Sequence, residues 1–276
     1  MPRKKSPATD QFQVRFSESK LVAALQAELS LEGGVTRADF ASSAWAFLAA
    51  LIHRVEPGAP ILMVIPGLKQ QEALYQDLQT WLVWLASSSK GNSKEKSKDR
   101  EESDGLILPE FFPAWETLPH EAKLSHADVI SERLETLLAF QGFDPLKNGE
   151  APVTVTNVVA LLQKTFPPAE FQRRLKTIKI GQDLDPLDLV EWLESQAYEP
   201  EAKVTQKGDL ALRGGIVDVF PLASPWPVRI EFFGNEVDSI RYFDPQTQMS
   251  LEKIESVVLS PAGEFGVLLR DIDQAP

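Results

Sequence analysis

No cysteine occurs anywhere in the 276 residues. That excludes disulfide frameworks, thiolate-bound zinc, iron–sulfur clusters and thiol nucleophiles, and it fits a reducing compartment. Long apolar runs are missing too. The most hydrophobic stretch, Phe40 to Val55, is interrupted by Ser42, Ser43, His53 and Arg54. It falls short of the roughly 18 apolar residues that suggest a membrane span. The basic opening, Met1-Pro2-Arg3-Lys4-Lys5, has no apolar run behind it and does not read as a signal peptide. No membrane association and a cytoplasmic setting are the resulting expectations. Positive charge is in deficit: the formal net charge is -12. A chain so acidic is poorly suited to bind nucleic acid by phosphate neutralisation over its whole surface, although a local basic patch is compatible with that total.

Catalytic signatures are equally sparse. The three histidines, His53, His120 and His126, show no i, i+4 pair on one helix face, so no metal site is expected. No Gly-x-Ser-x-Gly elbow exists. A phosphate loop needs glycines that turn backbone amides toward phosphate, then a Lys and a Ser or Thr. No Gly-Lys-Ser/Thr occurs, and the matching stretch reads Phe40-Ala41-Ser42-Ser43-Ala44-Trp45-Ala46, with Trp45 where the lysine belongs. No Asp-Glu pair follows a buried strand to hold magnesium. The sequence therefore predicts no cofactor, no ATP hydrolysis and no enzyme activity for this chain.

What is present is patterning. Residues 1–12 read as a tail. Leu21, Val22, Leu25 and Leu29 have helical spacing, and Phe40 to Val55 and Leu68 to Leu85 read as further helices. Between the last two, Ile61-Leu62-Met63-Val64-Ile65 is closed by Pro66-Gly67 and predicts a strand covered on both faces. Helix, strand, helix is the rhythm of an α/β layered fold. Residues 87–105 are Ser, Lys, Glu, Asp and Gly with almost nothing apolar, and predict a mobile insertion. A short strand over 106–111, a Pro-bracketed loop over 112–121, an amphipathic helix over 128–140 and a strand over 153–156 follow. A short helix then runs to Leu162, and Phe166-Pro167-Pro168 marks a boundary.

Beyond it, Leu175 to Ile180 alternates as a strand. Asp185-Pro186 has the chemistry of an N-cap and first helical residue, with Leu189, Val190 and Leu193 as the apolar face. Period-two strands then alternate with turns at Lys207-Gly208, Pro225-Trp226-Pro227 and Gly234-Asn235, and Ile254 to Leu259 reads as one more strand. The expected fold is α/β: a degenerate P-loop-like layered domain over 1–165, an α+β module with an antiparallel sheet over 166–262, and a linker over 263–276.

The densest signal lies between Asp209 and Pro245, which reads as three consecutive strands. Arg213 precedes Gly214-Gly215, Arg229 lies in the next strand, and Phe233 stands four residues further on, on the same side of a regular strand. Two arginines and a phenylalanine on one sheet face are the residue types that anchor protein interfaces. A guanidinium fork also suits a partner carboxylate. The same spacing admits the opposite orientation, with Phe232 outward, Phe233 in the core and the arginines as surface charges.

Five stretches together resemble the N-terminal region of the bacterial transcription-repair coupling factor family, Mfd, which is similar to part of the excision-repair protein UvrB. They are Ala114-Trp115-Glu116-Thr117-Leu118-Pro119-His120-Glu121, Asp128 to Leu134, Arg213-Gly214-Gly215-Ile216-Val217-Asp218-Val219-Phe220-Pro221, Arg229 to Phe233, and Asp238 to Asp244. The resemblance implies that the second module binds UvrA in nucleotide excision repair, with Arg213, Arg229 and Phe233 as contact positions. It also implies RNA polymerase and DNA as partners of the family through regions this chain does not contain. The chain ends at Pro276 without the family's motor motifs, so the family's translocase activity is not carried over. With no motor domain to mask it, the docking face is expected to be open. Arg229→Glu is expected to abolish docking and leave the fold intact. The rival reading is a truncated helicase-like fragment with residual nucleotide or DNA binding.

Overall fold

A computed structural model describes residues 41–89, 108–115, 127–143 and 150–264. The expected tail, the helix over 19–29, most of the 87–105 insertion, His120 and His126 lie outside the described residues. Contacts divide the chain into two compact units. One comprises residues 1–111 and 142–158, the other 112–141 and 159–276.

In the first unit a 3₁₀ turn, Ser42–Ala44, leads into helix α1, Trp45–Val55. Strand β1, Ile61–Ile65, is followed by helix α2, Leu68–Ser89. With β2, Glu110–Phe112, and β3, Val153–Asn157, β1 forms a sheet of order β1-β3-β2. β1 and β3 are parallel, Ile61 opposite Val153 and Ile65 opposite Asn157. Leu74, Leu78, Leu82 and Leu85 make a helical stripe on α2 that packs with Ala46, Ala49 and Ala50 of α1 and Val153 and Val155 of β3. The buried Gln71 donates from Nε2 to the Val155 carbonyl at 3.0 Å and accepts from Asn157 Nδ2 at 2.6 Å.

The expectation that β1 is covered on both faces is corrected. Leu62 and Val64 are 53% and 44% exposed, because β1 is an outer strand of this sheet. Burial on both faces belongs to the central strand β3, all five residues of which are buried. The layered α/β arrangement is present. Residues before Ala41 lie outside the described part, so the likeness to a phosphate loop stays an expectation from sequence.

The second unit begins with Phe112 and contains most of helix α3, Ala127–Gly142. The helices α4, Val158–Leu162, and α5, Pro168–Arg173, come next. Then follow β4, Lys176–Lys179, and α6, Pro186–Ser195. The expected cap forms: Asp185 is extended and its carboxylate accepts from the Leu187 backbone amide at 2.8 Å, with Pro186 at the first helical turn. The remaining strands are β5 (Glu199–Pro200), β6 (Asp209–Arg213), β7 (Ile216–Val219), β8 (Val228–Phe233), β9 (Glu236–Phe243), β10 (Ser250–Lys253) and β11 (Ser256–Leu259). The six-stranded sheet has order β10-β9-β8-β7-β6-β5. It is antiparallel except where β5 runs parallel to β6, and β11 pairs instead with β4.

Two readings of this unit need revision. The stretch 209–219 is a hairpin rather than one strand, because Gly214 adopts φ +61° and turns the chain between Arg213 and Ile216. Gly215 completes the turn against β8, where an added Cβ would stand 3.0 Å from the Phe232 carbonyl oxygen. The compact units also do not part at residue 165. Ile130, Leu134, Leu137 and Leu138 of α3 pack with Phe166, Phe171 and Leu222, which draws 112–141 into the second unit. Glu264 falls in the stretch expected to be a linker, yet it is fully buried. Among the described residues, no helix is long and apolar enough to cross a membrane.

Candidate docking face

Alternation along the strands gives the six-stranded sheet two unlike faces. Leu210, Val217, Val219, Val228, Ile230, Val237 and Ile240 point to a core closed by Leu189 and Leu193 of α6. The intervening residues form the outer face. Register sets Ala211 opposite Asp218, Asp218 opposite Arg229 and Arg229 opposite Arg241, one row across four strands. The next row holds Arg213, Ile216, Glu231 and Ser239.

A β-bulge decides where Phe233 goes. Glu231 pairs with Ser239 but Phe232 pairs with Val237, so Asp238 is the extra residue on β9. Phe232 and Val237 are thereby kept together against the core. Phe233 lies on the face of Arg229 and Glu231 and is 83% exposed. The opposite orientation, with Phe233 in the core, does not occur.

The outer face is graded along its length. At one end Ala211, Phe220 and Phe243 form a small apolar cluster with Val204. Beside it Asp218 is completely buried. Arg229 donates to both its oxygens, Nε to Oδ1 at 2.7 Å and Nη2 to Oδ2 at 2.9 Å. The Arg229 guanidinium also lies 4.7 Å over the Phe243 ring. Arg213 reaches across from β6 and donates through Nη2 to the same Asp218 Oδ2. Hydrogen bonding to Asp218 raises the Arg229 pKa above its ordinary value, partly opposed by burial. Toward the turn, Arg241 Nη2 donates to Glu231 Oε2 at 2.6 Å and to Ser239 Oγ at 2.9 Å. Ser239 Oγ in turn donates to Glu231 Oε2 at 2.7 Å.

The structure thus brings Arg213 and Arg229 onto one carboxylate and sets Phe233 on the same face at the turn end. The two arginines differ in kind. Side-chain exposure is 48% for Arg213 and 17% for Arg229. Arg229 is bound to its own strand neighbour, which revises the expectation for Arg229→Glu: a second carboxylate set against buried Asp218 would destabilise the unit itself. Sequence reasoning missed Asp218, Glu231 and Arg241. A signal for Asp218 was present: a lone acid between Val217 and Val219 in a strand whose neighbours are all apolar. Such a residue needs a cation to be buried.

A second arginine–carboxylate centre lies in the same unit. Arg133 and Glu264 have fully buried side chains. Arg133 donates to Glu264 from Nε at 2.6 Å and Nη2 at 3.0 Å, and to the Pro113 carbonyl from Nη1 at 2.8 Å. Trp115 Nε1 donates to Glu264 Oε2 at 3.0 Å. The guanidinium lies 4.1 Å over the Phe112 ring and 4.8 Å over the Trp115 ring.

Residues 177–265 match the family model described as the UvrB interaction domain, a range that includes Arg213, Asp218, Arg229 and Phe233. The chain is 37% identical over 155 residues to the transcription-repair-coupling factor of Haemophilus influenzae, covering 56% of this chain and 13% of that protein. To the transcription-repair-coupling factor of Bacillus subtilis it is 31% identical over 220 residues, 79% of this chain and 16% of that protein. The corresponding Escherichia coli protein is 36% identical over 151 residues, 55% of this chain and 13% of the other. The chain therefore spans between 13% and 16% of the length of these relatives.

Proposed function

We propose, for a chain that carries a UvrB interaction domain and is homologous to transcription-repair-coupling factors, that it acts in transcription-coupled repair by docking UvrA on the outer face of its six-stranded sheet. The observation that carries the reading is Phe233, a phenylalanine 83% exposed beside an arginine cluster within the matched domain. An aromatic set on one sheet face with arginines is the residue combination enriched among interface anchors, and it fits a surface that is covered on docking. Phe233 enters an apolar pocket of UvrA, and Arg213 meets an acidic or polar group at its rim. The activity is docking, without ATP hydrolysis by this chain, in keeping with the missing Gly-Lys-Ser/Thr.

The test is binding of the purified chain to purified UvrA, with Arg213→Ala and Phe233→Ala alongside. Binding by the parent that both substitutions weaken supports the reading. A folded parent that does not bind removes it. ATP added to a thermal melt is the companion measurement, because a ligand bound only by the native state raises its stability. A rise in melting temperature would favour the nucleotide-binding rival.

A further inference from the structure

Resting on the docking reading, we propose that Asp218 is a positioning residue for it: a buried carboxylate that holds Arg213 in its binding pose and leaves one uncompensated positive charge for an acidic group on UvrA. The charge count carries the argument. Asp218 has no exposed surface and both Arg229 and Arg213 bond to it. One carboxylate offsets one guanidinium. Arg229 takes the compensated place, since it grips both oxygens, is mostly buried and is backed by the Phe243 ring. The surplus falls on Arg213, whose side chain is 48% exposed. The neighbouring pair Glu231 and Arg241 is internally neutral and adds nothing to the total.

The pose matters as much as the charge. An arginine ordered before docking loses less conformational freedom when a partner arrives. Arg213 is the last residue of β6, directly before the Gly214-Gly215 turn. A long side chain at such a place would otherwise sample many rotamers. Asp218 ties its outer nitrogen to the centre of the sheet while the rest of the fork stays available for a carboxylate.

The experiment is a double-mutant cycle on affinity for purified UvrA, using the parent, Asp218→Asn, Arg213→Ala and the pair. Each single substitution is expected to weaken binding about tenfold, and the double variant no more than either alone. Additive losses, roughly a hundredfold in the double variant, overturn the proposal. So does unchanged affinity in Asp218→Asn. A second background, Asp218→Asn/Arg229→Gln, removes both buried charges together and serves if the single change fails to fold. Side-chain Nε relaxation of Arg213 in the free protein is a readout that needs no partner. Arg213 is expected to be ordered in the parent and to lose that order in either Asp218 background. Unrestricted motion in the parent, or unchanged order in the variants, overturns the assignment. If the parent does not bind UvrA the docking reading fails, and the relaxation arm still decides whether Asp218 holds Arg213.

Discussion

The second unit contains two arginine–carboxylate centres made from the same chemistry and put to different ends. At Arg133 and Glu264 both side chains are sealed, and the arginine's three nitrogens all donate within the unit. At Asp218 only the acid is sealed. Its two arginines rise toward the surface, one mostly covered and one half exposed. The first centre ties Phe112–Trp115, α3 and Glu264 together across long sequence separations. The second sits among neighbouring strands that their register already joins. A closed pair contributes by avoiding an unpaired buried charge, whereas an unequal cluster also leaves a cation to offer.

Breaking the sealed centre is the most damaging test of that contrast. Arg133→Ala leaves Glu264 buried without its cation and is expected to cost about 3–5 kcal/mol, read as a lower urea midpoint for the second unit. A change under about 1 kcal/mol would mean that the pair contributes no more than a surface one. Arg229→Glu is the next largest, with an expected loss of about 3 kcal/mol from two carboxylates facing each other across β7 and β8. Intact stability in that variant would show that Asp218 is served by Arg213 alone.

The exposed side should respond in the opposite sense. Phe233→Ala is expected to leave stability within about 0.5 kcal/mol and to weaken UvrA binding by about 2 kcal/mol, roughly thirtyfold. Stability and affinity falling together would place Phe233 with the fold rather than with docking. Arg213→Ala should likewise cost less than about 1 kcal/mol of stability, since its side chain is half in solvent.

The smallest effect concerns a buried group without such compensation. His53 in the first unit is buried and its Nδ1 has no hydrogen-bond partner among the described residues. Burial lowers its pKa below the ordinary 6.5, opposed in part by Glu150. The unfolded chain therefore takes up a proton that the fold resists, and stability present above 6.5 falls as the pH drops below it. Urea midpoints for the first unit from about pH 8 to about pH 5 should decline, and His53→Met should flatten the decline. A decline unchanged in the variant would assign it to other groups.

Local signals in the sequence located most elements, because each rests on chemistry between near neighbours. The Asp185-Pro186 cap, the Leu189 and Leu193 stripe and the glycine turn at Gly234 are of this kind. Period two also placed Arg229 and Phe233 on one side of β8. Tertiary structure alone decided the rest. Whether β1 is covered on both faces depends on its place at the margin of a sheet whose other strands come from residues 110–112 and 153–157. Joining 112–141 to the second unit depends on α3 packing against Phe166, Phe171 and Leu222, and on Arg133 meeting Glu264, 131 residues away. The difference between Arg213 and Arg229 depends on which of them lies opposite Asp218 once β6, β7 and β8 are in register. Caps, turns and alternation are written in adjacent residues. Burial, and the sharing of one carboxylate between two arginines, exist only when distant strands meet.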